Sequence, residues 1–583
     1  MVDTSLYPPA YQQQLLTLLT EEIDLDEHTD GVLIHSDNFQ ALNLLQARYR
    51  EQVKCIYIDP PYNTGTDGFI YKDNYQHSSW LTIIDNRTRL AKKLLSKDAA
   101  LFCQISDIEN SNLNKLMCSI FGEKNHRETI SVITSSKSGV NAINVKRGEH
   151  LFKIKEYIQF YSNSPEFRFK YFYTPDKYNN NYKWEIYKDI GGTWRVCDLK
   201  KEKNLSDQEL EKYALDNPKN IFSIEKNNSK AGEGIKAVLE KSKYSGEVET
   251  FIDKNGNEKI LYQGGVCVPL LERVVIENGK KYFGVLGSDI WDDIGQASGS
   301  EGNVSFGNGK KPEKLLKRII EMTTNENDLV LDFFLGSGTT SCVAQKLKRK
   351  WIGIEQGDYF NNVTLQRIMK TLSGDQTGIS KSTNYKGGGI VKVLKLESYE
   401  DTLNNIALKP QDDLFKQLPE NVQEDYLLRY LLDVESKGSL LNSDDFQHPF
   451  DYRLNIATDS AGAYQSTVID LPETFNYLLG IRVQQITDER EKRGYLTIEG
   501  LLPNDARCLI VWRDCEKMGY TEVAQFFDKH NINPNSNQYD VIYLNGDHDM
   551  ANQWQNEDGS ESRLALRALE PEFLNRMFME KGE

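Results

Sequence analysis

Two short stretches carry residue types that could do chemistry. The first is Cys55-Ile56-Tyr57-Ile58-Asp59-Pro60-Pro61-Tyr62-Asn63, where an apolar run meets an acid, two prolines and an aromatic. Proline fixes φ and has no N–H, so a strand ending at Ile58 cannot continue and the chain must turn stiffly. Open α/β sheets place their ligands at the carboxyl ends of strands, and Asp59 falls at such an end. Asp59 supplies one acceptor, the Pro60 carbonyl a second, and Tyr62 a flat ring. That corner suits a planar ring bearing an exocyclic amino group: two acceptors for two amino hydrogens, and an aromatic face to hold the plane. A proline-terminated strand with a surface tyrosine is the plainer reading.

The second stretch shifts the balance. It is Asp328-Leu-Val-Leu-Asp332-Phe-Phe334-Leu-Gly336-Ser337-Gly338-Thr339-Thr340. An apolar strand ends in Gly-Ser-Gly and runs into a helix, Cys342 to Leu347; Trp351 to Glu355 is a second strand ending in an acid. Glycine allows a tight turn and lets a ligand approach the backbone. A glycine turn followed about 20 residues later by an acid matches a nucleoside site, with Glu355 on the ribose. The third glycine of a dinucleotide motif is missing, and no Gly-Lys-Ser/Thr phosphate loop occurs anywhere. A ligand with an adenosine but no pyrophosphate fits better, which points to S-adenosylmethionine.

The elements that must position these residues follow from the pattern. Gly31 to Asp37 reads as a strand, and Asn38 to Arg50 as a helix with Ala41, Leu42, Leu44 and Leu45 apolar. With the strand at Cys55 this makes strand–helix–strand, the mark of a parallel sheet. Asp37 then faces the same crevice as Asp59, near the adenosine or amino-acid end of the ligand; a helix N-cap is its plainer role. Residues 1–30 read as helical around Gln12 to Thr20, and 63–80 as a mobile loop holding Gly65, Gly68 and Tyr71. Trp80 to Leu95 and Ile108 to Phe121 are expected helices, the latter ended by Gly122. Ala99 to Ile105, Ser131 to Thr134 and Tyr157 to Tyr161 are expected strands, as is Ile390 to Leu396 after Gly387-Gly-Gly389. A helix with Leu315, Leu316, Ile319 and Ile320 inward is expected after Pro312.

The 583 residues suffice for three or four domains. The boundaries read as a helical segment at 1–30, a catalytic half at 31–164, an inserted region at 165–285, a ligand-binding half at 286–400, and an acidic domain at 401–583. A polar stretch near Pro410 is a candidate linker. Net charge is −16, yet residues 401–583 alone hold 33 Asp and Glu against 17 Lys and Arg. Residues 131–243 are locally basic, with 21 Lys and Arg against 15 acids. In the inserted region Lys and Arg intermix with aromatics: Phe167, Lys170, Tyr173, Lys177, Tyr178, Tyr182, Lys183, Trp184, Lys188, Trp194, Arg195. Cations neutralise phosphates while aromatics contact bases or fill gaps, so this region reads as the part that meets nucleic acid. The eight cysteines form no Cys-x-x-Cys or Cys/His cluster, and Asp547-His548-Asp549 reads as a solvated loop rather than a metal site. No membrane-length apolar run or basic leader is present, so a cytoplasmic location is expected.

The order of the two stretches resembles the β class of amino-group DNA methyltransferases over roughly residues 30–400. The Asp-Pro-Pro-Tyr corner comes first, a target-recognition region next, and Phe334-Leu-Gly336-Ser-Gly338 last; Lys311-Pro312-Glu313-Lys-Leu-Leu resembles that family's cofactor-side helix. The resemblance implies a Rossmann-like, mostly parallel α/β sheet with an inserted target-recognition domain and an α/β C-terminal domain. It implies adenine N6 in double-stranded DNA as the target, cytosine N4 being the second choice. It places Asp59, Pro60, Pro61 and Tyr62 at the reacting base. Asp37, Lys311, Pro312, Asp332, Phe334, Gly336, Ser337, Gly338, Thr339 and Glu355 fall on the cofactor side, and no metal is needed. Asp59-Pro-Pro-Tyr-Asn-Thr-Gly65, Ile290-Trp-Asp292-Asp and the long C-terminal extension further resemble the modification (Mod) subunit of type III restriction–modification systems. That implies a homodimer able to bind a restriction (Res) helicase–nuclease subunit. A stand-alone type II or orphan adenine methyltransferase is the alternative. A protein or RNA methyltransferase, or a DNA-binding module without catalysis, are readings from further away.

Overall fold

The structure is a computed structural model that describes residues 2–64, 74–134, 151–226, 232–254, 256–277, 279–307, 309–405, 441–458, 463–550, 553–555 and 561–578. Gly65, Gly68 and Tyr71 of the expected loop, and the expected linker near Pro410, lie outside the described residues. Contacts divide the chain into two compact units: Met1–Ile130 with Lys155–Arg168 and Gln296–Glu583, and Ser131–Ile154 with Phe169–Gly295. The division thus falls at 169 and 295, with 131–154 added, where composition suggests 165 and 285.

Seven strands of the first unit form one sheet. They are β1 (Thr29–His35), β2 (Val53–Ile58), β3 (Leu95–Ile105), β4 (Lys155–Ser162), β5 (Leu329–Asp332), β6 (Lys350–Glu355) and β7 (Ile390–Lys395). Their order is β4-β3-β2-β5-β6-β1-β7, with only β3–β4 antiparallel. The local strand–helix–strand reading suggests β1 beside β2; instead β5 and β6, from nearly 300 residues downstream, lie between them. Parallel strands buried on both faces read as unbroken apolar runs, and Ile34, Ile56, Ile58, Leu101, Leu331, Ile352 and Ile354 are all in the core. Gly31 is needed for close approach, because a Cβ there would lie 2.1 Å from the Trp351 ring. The helices Pro9–Glu22, His77–Leu94, Asp107–Phe121, Glu313–Thr323 and Thr339–Lys346 fall where periodicity expects them, and Gly122 ends the third with φ 88°.

The acidic C-terminal third belongs to the same compact unit. It carries a five-stranded sheet, Arg482–Glu489 to Leu566–Ala568, around Phe446, Phe475, Trp512 and Phe573. Asp26 ties it down: its carboxylate pairs with Arg48, takes Lys392 Nζ at 2.8 Å and accepts the Val483 N–H at 2.6 Å. Phe475–Gly480 and Ala506–Trp512 provide core residues, as their apolar composition suggests.

The second unit holds a six-stranded antiparallel sheet and a three-stranded one. Its core gathers Tyr182, Leu199, Leu210, Ile221, Leu270 and Phe283. Two of the aromatics that could either contact bases or fill gaps do the latter: Tyr182 is buried in this core, and Phe167, which belongs to the first unit, is buried as well. The hairpin Trp184–Lys188 to Trp194–Asp198 keeps Lys188 and Arg195 exposed, with Ile190 fully exposed at its tip. No helix among the described residues is long and apolar enough to cross a membrane.

Candidate functional site

Sheet order decides what meets what. β2, β5, β6 and β1 lie side by side and all point the same way, so the residues at or just beyond their carboxyl ends share one edge. Those residues are Asp59, Asp332, Glu355 and Asp37. All four line one cavity of about 450 Å³. Pro61, Phe334, Gly336, Ser337, Thr339 and Lys311 line it too, so the acid–proline corner and the glycine turn open onto the same space. Pro60, Tyr62, Pro312 and Gly338 do not line it: Pro312 caps the helix Glu313–Thr323, and Gly338 caps Thr339–Lys346.

The corner is braced from several sides. Trp80 Nε1 donates to the Pro61 carbonyl at 2.8 Å. Asn63 takes the left-handed turn at φ 61°, donates to Glu109 at 2.7 Å and accepts the Tyr75 N–H at 2.6 Å. Lys311, which the resemblance puts on the cofactor side, lines the cavity and also reaches this corner. Its ammonium donates to the Tyr62 hydroxyl at 2.7 Å and lies 3.3 Å from Asp59 Oδ2. Tyr62 does not offer a free hydroxyl: it stands 2.9 Å from Asp59 Oδ1 and 2.7 Å from Glu156 Oε2, and Lys311 sits 4.9 Å above its ring. Burial pushes the Asp59 carboxyl up to about 6; Lys311 opposes the rise and Glu156 adds to it.

Pattern reading missed Glu156. It stands on β4 and also accepts from Gln104, whose own carbonyl takes the Tyr57 hydroxyl at 2.5 Å. Burial alone would raise the Glu156 carboxyl, but Lys311 and the Tyr62 and Gln104 hydrogen bonds hold it below the usual range. The one available signal was an acid alternating with Ile158 and Phe160 on one face of an apolar strand.

At the other end the Glu355 carboxylate accepts three backbone N–H groups, from Gly336 at 2.6 Å, Gly357 at 2.7 Å and Gln356 at 2.9 Å. The Tyr359 side chain adds a fourth hydrogen bond to the same carboxylate. Gly336 and Gly338 turn at φ 56° and 84°, the left-handed region that favours glycine. Burial pushes Asp332 up to about 7, although Thr340 donates to it at 2.6 Å and the Phe334 N–H at 2.9 Å. Asp37 does cap the helix that follows it, accepting the Phe39 N–H at 2.8 Å, and its other oxygen pairs with Arg87 at 2.9 Å. It is a cap and a cavity wall at once.

The chemistry of this lining fits a nucleoside that carries a positive charge. The volume lies in the range of small-molecule sites, five acids (Asp37, Asp59, Asp332, Glu355, Asp358) outnumber Lys311 and Arg87, and a backbone cradle stands at one end. S-adenosylmethionine, with its sulfonium and ammonium groups, matches that lining. Among the described residues no three His, Cys, Asp or Glu side chains group so as to hold a metal ion.

The sheet, the corner and the glycine turn define a class, and comparison with known proteins agrees. Residues 53–366 match the family model described as DNA methylase (N6_N4_Mtase), and the chain belongs to that family. Among its relatives, the "Probable type III restriction-modification enzyme HindVI Mod subunit" of Haemophilus influenzae is 32% identical over 479 residues, 73% of this chain and 62% of that one. The StyLTI Mod subunit of Salmonella typhimurium, named as a type III restriction-modification enzyme, is 28% identical over 56% of this chain and 51% of its own length. The type II methyltransferase M.BamHI of Bacillus amyloliquefaciens is 51% identical, over only 76 residues. The chain thus spans between half and two thirds of the two Mod subunits. A solved cytosine-N4-specific PvuII DNA methyltransferase aligns at 14% identity and TM-score 0.34, covering 63% of this chain and 95% of that one, too slight a likeness to argue from.

Proposed function

We propose that this chain is a site-specific DNA methyltransferase, acting on adenine N6 in duplex DNA with S-adenosylmethionine as donor. The observation that carries the reading is that the Asp59 corner and the Gly336 turn, 277 residues apart, line one cavity. Gly336, Ser337 and Glu355 would hold the nucleoside end of the donor, and the acidic lining would favour its charge. The donor supplies an electrophilic methyl group on a positively charged sulfur.

The chain's own part is to present the nitrogen. An exocyclic amino group is a poor nucleophile because its lone pair is delocalised into the ring. Asp59 and the Pro60 carbonyl, which accepts no hydrogen bond among the described residues, would take its two N–H bonds and draw the nitrogen towards tetrahedral geometry. Positioning then contributes most of the rate. A base inside a duplex cannot reach this cavity and must be flipped out. Tyr62 would stack on the base through its ring while its hydroxyl holds the corner; stacking of this kind contributes about 1–3 kcal/mol. The second unit, with Lys188 exposed, would supply phosphate contacts.

We further propose the role of a type III modification subunit, a homodimer in the cytoplasm that can bind a Res subunit. The HindVI and StyLTI matches support it; the M.BamHI match favours a stand-alone type II enzyme over a shorter span. Labelled methyl transfer from S-adenosylmethionine to DNA tests the activity, and methylation-aware sequencing reads base and site. Asp59→Ala is expected to abolish transfer with the fold intact. Capture of a helicase–nuclease subunit from the source cells would decide between the two roles.

A further inference from the structure

Glu156 has no part in the mechanism above, yet it is the hub of the corner. Lys311 Nζ lies 3.0 Å from its Oε2, the Tyr62 hydroxyl 2.7 Å, and Gln104 donates to the same oxygen. The Lys311 ammonium has three hydrogens and three acceptors here: Tyr62, Glu156 and, at 3.3 Å, Asp59. Two carboxylates therefore share one cation, and the group carries a net charge of −1 when both are ionised.

That charge has a use if the proposed methyl transfer is right. A nitrogen that gains a methyl group must shed one proton: an N–H bond breaks, its electron pair stays on nitrogen, and an O–H bond forms at an acceptor. Asp59 is the acceptor in place. With Glu156 ionised, uptake takes the corner from −1 to neutral. Without that charge, Lys311 would already neutralise Asp59, and uptake would leave a buried +1. We propose that Glu156 is a positioning residue that takes up the charge of Lys311, so that Asp59 remains the net acceptor for the proton leaving the target nitrogen. The titratable groups facing Asp59 are Tyr57, Tyr62, Cys103, Glu156, Lys311 and Asp332. Among the described residues only Glu156 and Asp59 share Lys311 within 4 Å.

The test uses the full chain and four variants: Glu156→Gln, Glu156→Asp, Lys311→Met, and Glu156→Gln with Lys311→Met. The Asp59 carboxyl is followed by its infrared band, identified by its loss in Asp59→Asn, as pH is varied. Glu156→Gln is expected to lower the midpoint by about one pH unit and single-turnover transfer by about tenfold, with DNA binding kept. The double variant returns the corner to −1 and should restore both; Glu156→Asp should keep both near wild type. An unmoved midpoint in Glu156→Gln, or a double variant no better than the single, would overturn the proposal. So would a midpoint shift in Glu156→Asp as large as in Glu156→Gln, which would make the role structural. The infrared midpoint reads independently of turnover, so a wild-type chain inert towards DNA would refute the methyltransferase reading alone.

Discussion

Lys311 and Glu313 stand two residues apart and enter opposite kinds of charge cluster. Lys311 turns to the cavity and serves two acids, Asp59 and Glu156. Glu313 turns the other way, is fully buried, and is held by Lys346 at 2.9 and 3.0 Å, Arg367 at 3.2 Å and the Ile379 N–H at 3.0 Å. Arg367 goes on to Ser337 and Thr339 behind the glycine turn, at 3.1 and 2.6 Å. In the inner cluster both carboxylate oxygens are filled from within the chain and none faces the cavity. In the outer one Asp59 lines the cavity, with the Tyr62 hydroxyl at one oxygen and Lys311 at the other, and the acids outnumber the cation. A buried charge with all its partners supplied shapes the turn; a charge left short of partners beside a cavity is available for a ligand.

The sharpest way to break that contrast is to remove the acid from each cluster. Asp59→Asn keeps the shape and removes the charged acceptor. It should lower methyl transfer by about 10²–10⁴-fold, the range for a positioned acid–base group, while the chain melts no lower than wild type. Glu313→Ala leaves Lys346 and Arg367 buried without their acid, and stripping one partner from a buried ion pair costs about 3–5 kcal/mol. Urea unfolding should show that loss, with the remaining folded chain still turning over. If Glu313→Ala were as stable as wild type but inactive, the inner cluster would belong to the chemistry and the contrast would fail.

Each half of the site was legible because its signals are local. An apolar run stopped by an acid and a breaker marks Ile58–Pro60, Asp332–Gly336 and Ile354–Gly357, and the acids Asp59, Asp332 and Glu355 of these ends line the cavity. The order of the strands was not legible. Nothing near Gly31 or Cys55 reports that Leu329–Asp332 and Lys350–Glu355 will come between them, because that pairing is decided by burial across nearly 300 residues. The partners of Lys311 were not legible for a related reason. Its motif fixes a helix start at Glu313, but the loop before that helix sets which way a side chain points. Tyr182 and Phe167 illustrate the limit of composition: an aromatic among lysines can contact a base or fill a gap, and burial alone shows these two to be core.

A further prediction uses pH. The Asp59 carboxyl sits at about 6 in the fold against an ordinary 3.8, chiefly because burial disfavours its charge. Between those values the folded chain binds a proton that the unfolded chain does not, so stability falls as pH rises through the window. Below the lower value both states are protonated and the contribution is fully present; above about 6 it is lost. About two pH units at ~1.4 kcal/mol each sets an upper bound of about 3 kcal/mol. Asp59→Asn should therefore melt higher than wild type at pH 8 and alike below pH ~4. Transfer, which needs the carboxylate, should rise with pH through about 6. Identical melting curves for the two proteins at pH 8 would mean that the corner stores no cost, and would remove one side of the contrast with Glu313.

The smallest effect concerns the second unit, where several cations are already paired. Lys183 pairs with Asp198 at 2.7 Å, Lys203 with Glu185 at 2.8 Å, and Arg195 with Asp189 at 2.9 Å. The local surplus of basic residues is thus partly cancelled on the surface that should meet phosphates. Lys188 differs: it is exposed, and its ammonium rests 4.7 Å from the Trp194 ring centre, beside the tip that carries Ile190. A cation held over an aromatic keeps its charge for an outside anion. If it contacts one phosphate, Lys188→Gln should weaken DNA binding and reduce the slope of log affinity against log salt by about 1. Lys203→Gln should leave that slope unchanged, because its charge is already taken by Glu185 and the Tyr213 hydroxyl. Equal slopes for the two variants would mean that DNA does not distinguish paired from unpaired cations here, and that the hairpin is not where the duplex lies.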